Sequence, residues 1–473
     1  MSAARPFATL ALAAALTACT MAPRYERPAA PVPTSYENVE AATASATPAS
    51  ALPASEIGWQ EFFPDPDLQA LIATALDNNR DLRIATLNVQ AARAQYRIQR
   101  AELLPPLDIE GTANNQRTPA DLSRTGNSEL TRVYSAGVGM PSFELDLFGR
   151  VRSLRESALE AYFAIEENRT AAQLLLVSEV ANAWLTLIAD RELLALAQDT
   201  RDSQKQSYDL TKLRFDQGVS SEIDLHRSET AWREAEVDIA QQTRRVAQDR
   251  NALALLVGAP LPPETAAGTH GVVAQTFAKQ LPAGLPADLL TRRPDVRAAE
   301  HALLAANANI GAARAAFFPS ISLTGFYGNA SSDLSALFQP GHTSWSFVPQ
   351  VSIPIFSGGA NMAALDFANA RKRIEVARYE QSIQIAFREV ADALIARSTL
   401  EDQLRAQEAL AHAAESSYRL ADMRYRGGVD SFLGALIAQR DMYDAQRALI
   451  VTRLAGAVNL VQLYQSLGGG WKE

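Results

Sequence analysis

The side chain most open to a specific reaction in this 473-residue sequence is its single cysteine, Cys19. It closes the run Leu16-Thr17-Ala18-Cys19, directly after the short apolar stretch Phe7 to Leu16, and the only charge upstream is Arg5. About ten apolar residues are too few for a bilayer-spanning helix, which needs roughly 20. Residues 1–18 therefore read as a signal peptide. A Leu-x-small-Cys run is what a bacterial lipoprotein signal peptidase recognises, so Cys19 is expected to become the lipidated first residue. Thr20 rather than an aspartate follows, an arrangement that in Gram-negative lipoproteins favours sorting to the outer membrane. A single cysteine rules out an intrachain disulfide or a thiolate metal cluster.

Other chemistry is thinly represented. The five histidines, His226, His270, His301, His342 and His412, are scattered and never fall at metal-ligand spacing. Neither a Gly-x-Ser-x-Gly elbow nor a phosphate-cradling glycine loop occurs. Arg292-Arg293 with Asp295 offers a possible anion site, but Pro294 in a first turn and Asp295 at a positive dipole end describe a helix start more economically. No catalytic residue, metal or cofactor is expected. A formal charge of −9 lacks the basic face that nucleic acid requires.

The elements that carry this chemistry form two copies of one plan. After an expected Pro/Ala-rich tether over 19–56, residues 79–111 fall without a gap on 293–325: Asp81, Arg83, Arg100, Pro105 and Gly111 meet Asp295, Arg297, Arg314, Pro319 and Gly325. Later, Ser207-Tyr208, Leu210, Arg214, Gly218-Val219 and Ser221 meet Ser417-Tyr418, Leu420, Arg424, Gly428-Val429 and Ser431. The repeats are placed at 57–270 and 285–467. Each holds a helix, a strand pair (107–141 and 320–356), and two long helices (150–215 and 220–257; 361–426 and 430–467). Arg150 to Phe215 contains neither proline nor glycine, and at ~1.5 Å per residue spans about 100 Å as a helix.

The strands alternate. Tyr134, Ala136, Val138 and Met140 oppose Ser135, Gly137 and Gly139; Trp345, Phe347, Val351, Ile353 and Ile355 oppose Ser344, Ser346, Gln350 and Ser352. No later run of about 18 apolar residues follows the signal, so a membrane crossing would use strands, for which roughly 9–11 tilted residues suffice. Four strands are too few to close a transmembrane barrel, whose smallest examples have about 8, so the sheet must be completed by other subunits. Long paired helices joined to such strands point to a tube reaching through the periplasm. A solenoid or coiled-coil spacer is the alternative.

The sequence resembles the TolC-like outer-membrane efflux factors, in particular their NodT-type lipoprotein branch. The resemblance rests on Phe143-Glu144-Leu145-Asp146-Leu147-Phe148-Gly149-Arg150, on the run 285–325, on Tyr425-Arg426-Gly427-Gly428-Val429-Asp430, and on Trp59 to Pro66 with Leu68 and Asn78-Asn79. It covers nearly the whole mature chain. The family implies a mixed α and β membrane protein: a homotrimer with four strands per protomer and twelve in one outer-membrane β-barrel, continuing into a long periplasmic α-helical barrel. It also implies a periplasmic adaptor protein and an inner-membrane efflux pump of the RND or a related type as partners, with outer-membrane lipid around the barrel. Gly218, Gly427 and Gly428 would turn the helices at the periplasmic tip, where Asp224 and Tyr425 match a closing network and Leu433 a narrowing leucine. Gly434 and Ile437 stand where relatives place pore-facing aspartates, so an acidic ring is in doubt and Leu433 with Ile437 would close the pore by dewetting. An exit duct for protein secretion, with the same fold and other partners, and a non-channel lipoprotein scaffold remain open at this level.

Overall fold

The computed structural model describes residues 20–36, 56–261 and 292–469. Cys19 lies outside them. Two compact units divide the chain, one holding Asn88–Glu166 and Ala298–Tyr379, the other Glu167–Arg297 and Glu380–Glu473 with flanking segments.

The first unit is organised by a sheet of β1 (Asp108–Thr118), β2 (Glu129–Leu145), β3 (Ser320–Ser331) and β4 (Thr343–Ser352), antiparallel in that order. Two boundaries differ from the alternation pattern. β2 does not stop at Pro141. A bulge between Met140 and Phe143 takes up Pro141 and Ser142, and pairing resumes from Phe143–Leu323 to Leu145–Ile321. The bulge also shifts the register by one residue, which returns Phe143 and Leu145 to the face of Val138 and Met140. β4 ends at Ser352, so Ile353 and Ile355 lie beyond it; Pro354 has no N–H to continue the ladder.

The second unit is helical. Its core gathers α1 (Trp59–Phe62), α2 (Pro66–Asn78), the later part of α4 (Arg150–Asp216) and the end of α8 (Phe432–Ser466). α5 (Glu222–Val257) follows α4 in this unit, while α3 (Arg80–Ala101), α4 and α7 (Ala360–Arg426, before α8) each run through both units and α6 (Pro294–Ala315, before β3) belongs mostly to the first. α4 and α7 are each 67 residues long. Val177, Val180, Trp184, Leu187 and Ile188 step at three and four along α4 and are buried. α4 contains a window of mean hydropathy 1.5, but more than half of that window is buried in protein, as in a core helix.

The short motifs that carry the resemblance have local physical reasons. The Phe62 and Tyr464 rings stack at 3.9 Å, and the Tyr464 hydroxyl donates to Ile57 O at 2.6 Å. Asp65 caps α2 by accepting from the Asp67 and Leu68 amides, while its second oxygen accepts from Trp184 Nε1 at 3.2 Å. Asn79 accepts from Leu82 N and donates to Leu256 O, satisfying one helix start and one helix end. Arg293 is buried between Asp295 and Glu389 and donates to Ser466 O at 3.1 Å, so it ties helix ends together within the unit. In the strand-to-helix corner of the first unit, Glu144 and Arg150 pair at 2.6 Å, Asp146 and Arg152 at 3.1 Å, and Gly149 takes φ +77°.

Candidate functional site

Two features are built for something beyond folding: the sheet of the first unit and a pair of helix turns in the second. On the sheet, cross-strand pairing aligns Ile109 with Val138, Val138 with Tyr327, and Tyr327 with Trp345. Directly paired residues share a face, so this is a transverse apolar row. Its ends are bare, Ile109 being 91% and Trp345 72% exposed. Parallel rows follow in Met140, Gly325 and Phe347 and in Leu145, Ile321 and Val351. The opposite face carries Glu110, Gly137, Gly328 and Ser344 in one row and Glu144, Ser322 and Gln350 in another. Gly137 is required there, since a Cβ would come within 2.4 Å of Tyr327 O. Among the described residues the outer strands β1 and β4 each pair on one side only. An exposed apolar face is costly in water and suited to lipid, whereas the open edges need partner strands in either medium.

The turns of the second unit, between α4 and α5 and between α7 and α8, share one construction. Val219 N donates to Arg214 O at 2.8 Å and Val429 N to Arg424 O at 2.9 Å, while Gly218 and Gly428 take φ +75° and +73°. A left-handed residue there ends the helix and reverses the chain without a Cβ clash. Gly427 donates to Met423 O at 2.9 Å as the helix closes.

Of the residues matched to a closing network, Tyr425 is buried against Phe432 and Ala435. Its hydroxyl meets Thr211 Oγ1 at 3.0 Å and the Arg214 guanidinium lies 4.7 Å from its ring centre. Ser221 caps α5: its Oγ accepts from the Asp224 amide and donates to the Asp224 carboxylate at 2.6 Å. Arg227 approaches Asp224 at 4.0 Å. Within one protomer the structure thus gives Asp224 and Tyr425 separate partners. Leu433 and Ile437, one turn apart on α8, are 40% and 50% exposed, and a Cβ at Gly434 would meet open space.

Sequence reasoning passed over Arg214, which donates Nη1 to Tyr425 O at 3.4 Å and Nη2 to Arg426 O at 3.2 Å and so pins one turn to the other. The signal was present in the repeat register: Arg424 has Asp430 six residues on, whereas Arg214 has Ser220. The sequence also pointed to an extended tether over 19–56. In the first unit residues 21–27 lie extended and are held along α6. Arg27 and Tyr25 bind Glu300, Asn307 donates to Pro23 O at 2.8 Å, and Arg314 donates to Met21 O at 3.3 Å. The helix rises about 21 Å from 300 to 314 at ~1.5 Å per residue, matching about 20 Å for six extended residues. Gly311 leaves room for the arm, because a Cβ would sit 2.7 Å from Ala22 N.

Comparison with known proteins places these features. The profile described as "outer membrane efflux protein" matches residues 71–259 and 285–469, one segment in each half. The toluene efflux pump outer membrane protein TtgC of Pseudomonas putida is 49% identical over 458 residues, covering 97% of this chain and 94% of its own. The outer membrane protein OprJ of Pseudomonas aeruginosa is 44% identical over 464 residues, covering 98% and 95%. Among solved structures, the open state of the MtrE outer membrane channel of Neisseria gonorrhoeae superposes with a TM-score of 0.86 at 41% identity, covering 96% of this chain and 99% of that one. With the match running through both halves and over nearly the full length of such relatives, the chain belongs to the outer membrane efflux protein family and is an outer-membrane efflux channel of mixed α and β architecture.

Proposed function

We propose that three copies of this chain join edge to edge, β4 of one to β1 of the next, as a twelve-stranded barrel over a periplasmic helical duct. The duct passively conducts small molecules delivered by a periplasmic adaptor and an inner-membrane pump. The observation that carries the trimer is the sheet: apolar rows exposed on one face, a polar and glycine face behind them, and two unpaired edges. Four strands cannot close, and an open edge is not stable in hydrocarbon. Cys19 supplies the lipid anchor, and the arm bound to Glu300, Asn307 and Arg314 holds that anchor close to the end of α6, where β3 begins. The names of relatives make toluene-like apolar solutes the first cargo to try.

At the lower end Gly218, Gly427 and Gly428 form the tip turns. Tyr425 and Asp224 hold them closed, and the exposed Leu433 and Ile437 line an apolar constriction. The experiment is to extract the protein in mild detergent, measure its mass, and record current in planar bilayers. A trimer that conducts, with higher conductance in Leu433→Ala, is expected. A stable lone subunit that passes no current would overturn the reading. Acyl labelling of the Cys19→Ser variant should be absent; retained label would place the anchor elsewhere.

A further inference from the structure

The pairing register fixes which side chains of the sheet share a face, and it sorts every charge on the four strands by sign. Asp108, Glu110, Glu129 and Glu144 all fall on the polar and glycine face. Arg117 and Arg132 fall on the other, in line with Ile109 and Val138. The strands hold no further charged residue, so the apolar face is free of acids and its only charges are arginines. Both arginines lie at the end away from the helices. Every helix joins the sheet where β1 and β3 begin and β2 and β4 end, so the opposite end, with the turns 119–128 and 332–342, faces the cell exterior. From Ile321 to Ser331, the partner of Tyr134, β3 rises about 34 Å at ~3.4 Å per residue, or about 26 Å along the membrane normal at a tilt of ~40°. The apolar band of an outer-membrane barrel is about 25 Å tall and is flanked by aromatic side chains. Tyr134 thus stands where that height runs out. Arg132 is the next residue beyond it on this face, and Arg117, opposite Leu130, comes after that.

Neither arginine is neutralised by the protein. Both are exposed. Arg117 Nε donates to Ser128 Oγ at 3.0 Å, which orients the guanidinium and leaves its Nη groups without a partner among the described residues. Asp333, in the turn between β3 and β4, attracts Arg132 without approaching it as an ion pair, and its carboxylate already accepts from Ser335 N at 3.0 Å and Ser335 Oγ at 2.9 Å. Arg124 and Asp121 in the other turn offset each other in charge. The register makes Arg117 and Arg132 diagonal neighbours, roughly 7–8 Å apart at the backbone. With no acid between them they repel each other unless an anion joins them. We propose that Arg117 and Arg132 clamp phosphate groups of the outer-leaflet lipid, each guanidinium donating two parallel hydrogen bonds, while Tyr134 and the apolar rows lie along the acyl chains. This site rests on the barrel proposed above, which turns the face toward lipid.

The test mixes the full-length protein in detergent with bisphosphorylated lipid A, or with the same lipid stripped of phosphate, and titrates bound lipid by native mass spectrometry. Clear preference for the phosphorylated form is expected. The double variant Arg117→Gln, Arg132→Gln should weaken binding of that form about 25-fold, roughly fivefold for each arginine near an anionic surface, and should leave the stripped form unaffected. Inorganic phosphate at the same concentration as the lipid should displace none of it. Equal retention of the two lipids overturns the site, as does unchanged binding in the double variant. Displacement by inorganic phosphate also overturns it, because the arginines would then serve a free anion. Mass and bilayer current of the same sample separate this site from the barrel beneath it. A conducting trimer indifferent to lipid phosphate overturns the site and leaves the barrel standing, whereas a lone subunit without current removes both.

Discussion

The two helix turns of the second unit descend from one ancestor and no longer do the same thing. Backbone and glycine are alike in both, down to the carbonyl of Arg214 or Arg424 accepting from the residue five positions on. Four of the matched positions from 214–221 and 424–431 differ, and the pair Ser220 and Asp430 bears directly on the arginine. Where the second turn has Asp430, Arg424 is held inside its own turn, at 2.5 Å from that carboxylate. Where the first turn has Ser220, Arg214 has no acid at that position, Asp216 being paired with Lys212, and it crosses to the last carbonyls of α7, stacking on Tyr425 as it does so. Duplication copied the backbone of the turn; with Asp430 the arginine makes a local ion pair, and with Ser220 it links the turns. The link uses the negative end of the α7 dipole, which favours a cation there.

The comparison can be broken most forcefully at Arg214. Arg214→Ala removes two hydrogen bonds from a charged donor and a cation–π contact, and should loosen the 424–431 turn by about 2 kcal/mol. Hydrogen exchange at those amides would then quicken roughly thirtyfold. Exchange unchanged in the second turn would show that the two turns are not linked. Ser220→Asp sharpens the point. An acid placed where Asp430 stands in the other repeat should recapture Arg214 and reproduce part of that loosening without deleting the arginine; tighter exchange at 424–431 would refute this. Gly218→Ala and Gly428→Ala should each cost about 1 kcal/mol, since both force a Cβ into the left-handed region. Equal losses in Tm are expected, because this part of the turns is shared.

The smallest effect is that of pH. The Arg424 side chain donates to the Asp430 carboxyl and holds its pKa below 3.8. A depressed folded-state pKa contributes stability that is present above 3.8 and lost as pH falls below it. Both groups are fully exposed, so only a slight quickening of exchange in the second turn is expected in that acid range, absent in Asp430→Asn. A change in the opposite sense belongs to Asp249 on α5. Burial, together with Asp190, raises its carboxyl to about 6. A raised acid destabilises as pH climbs from 3.8 through about 6, and Asp249→Asn should remove that decline from the Tm profile.

Much of the architecture was legible because it is written in periods. Alternation in Tyr134 to Met140 and the three-and-four steps from Val177 to Ile188 each commit a segment to one geometry. Glycine at 218 and 428 marked the reversals for a steric reason that needs no neighbour. What could not be read involved partners far apart in the chain. The docking of the arm at 21–27 on α6 could not be read because its hydrogen bonds involve Glu300, Asn307 and Arg314, 273 to 293 residues away. The continuation of β2 past Pro141 depended on β3 being there to pair with Phe143 and Leu145.

By itself the sequence determined the repeat, the strand faces and the helix ends, since each follows from local sterics and from the spacing of apolar side chains. It also carried enough of the family's residues to declare its kinship. Only the tertiary structure decided where Arg214 would point, that Tyr425 would be buried against Phe432 and Ala435 with its hydroxyl on Thr211, and that the arm at 21–27 would bind α6. Those outcomes turn on which donors and acceptors meet once water is excluded. That is a property of packing between helices, which no one-dimensional period encodes.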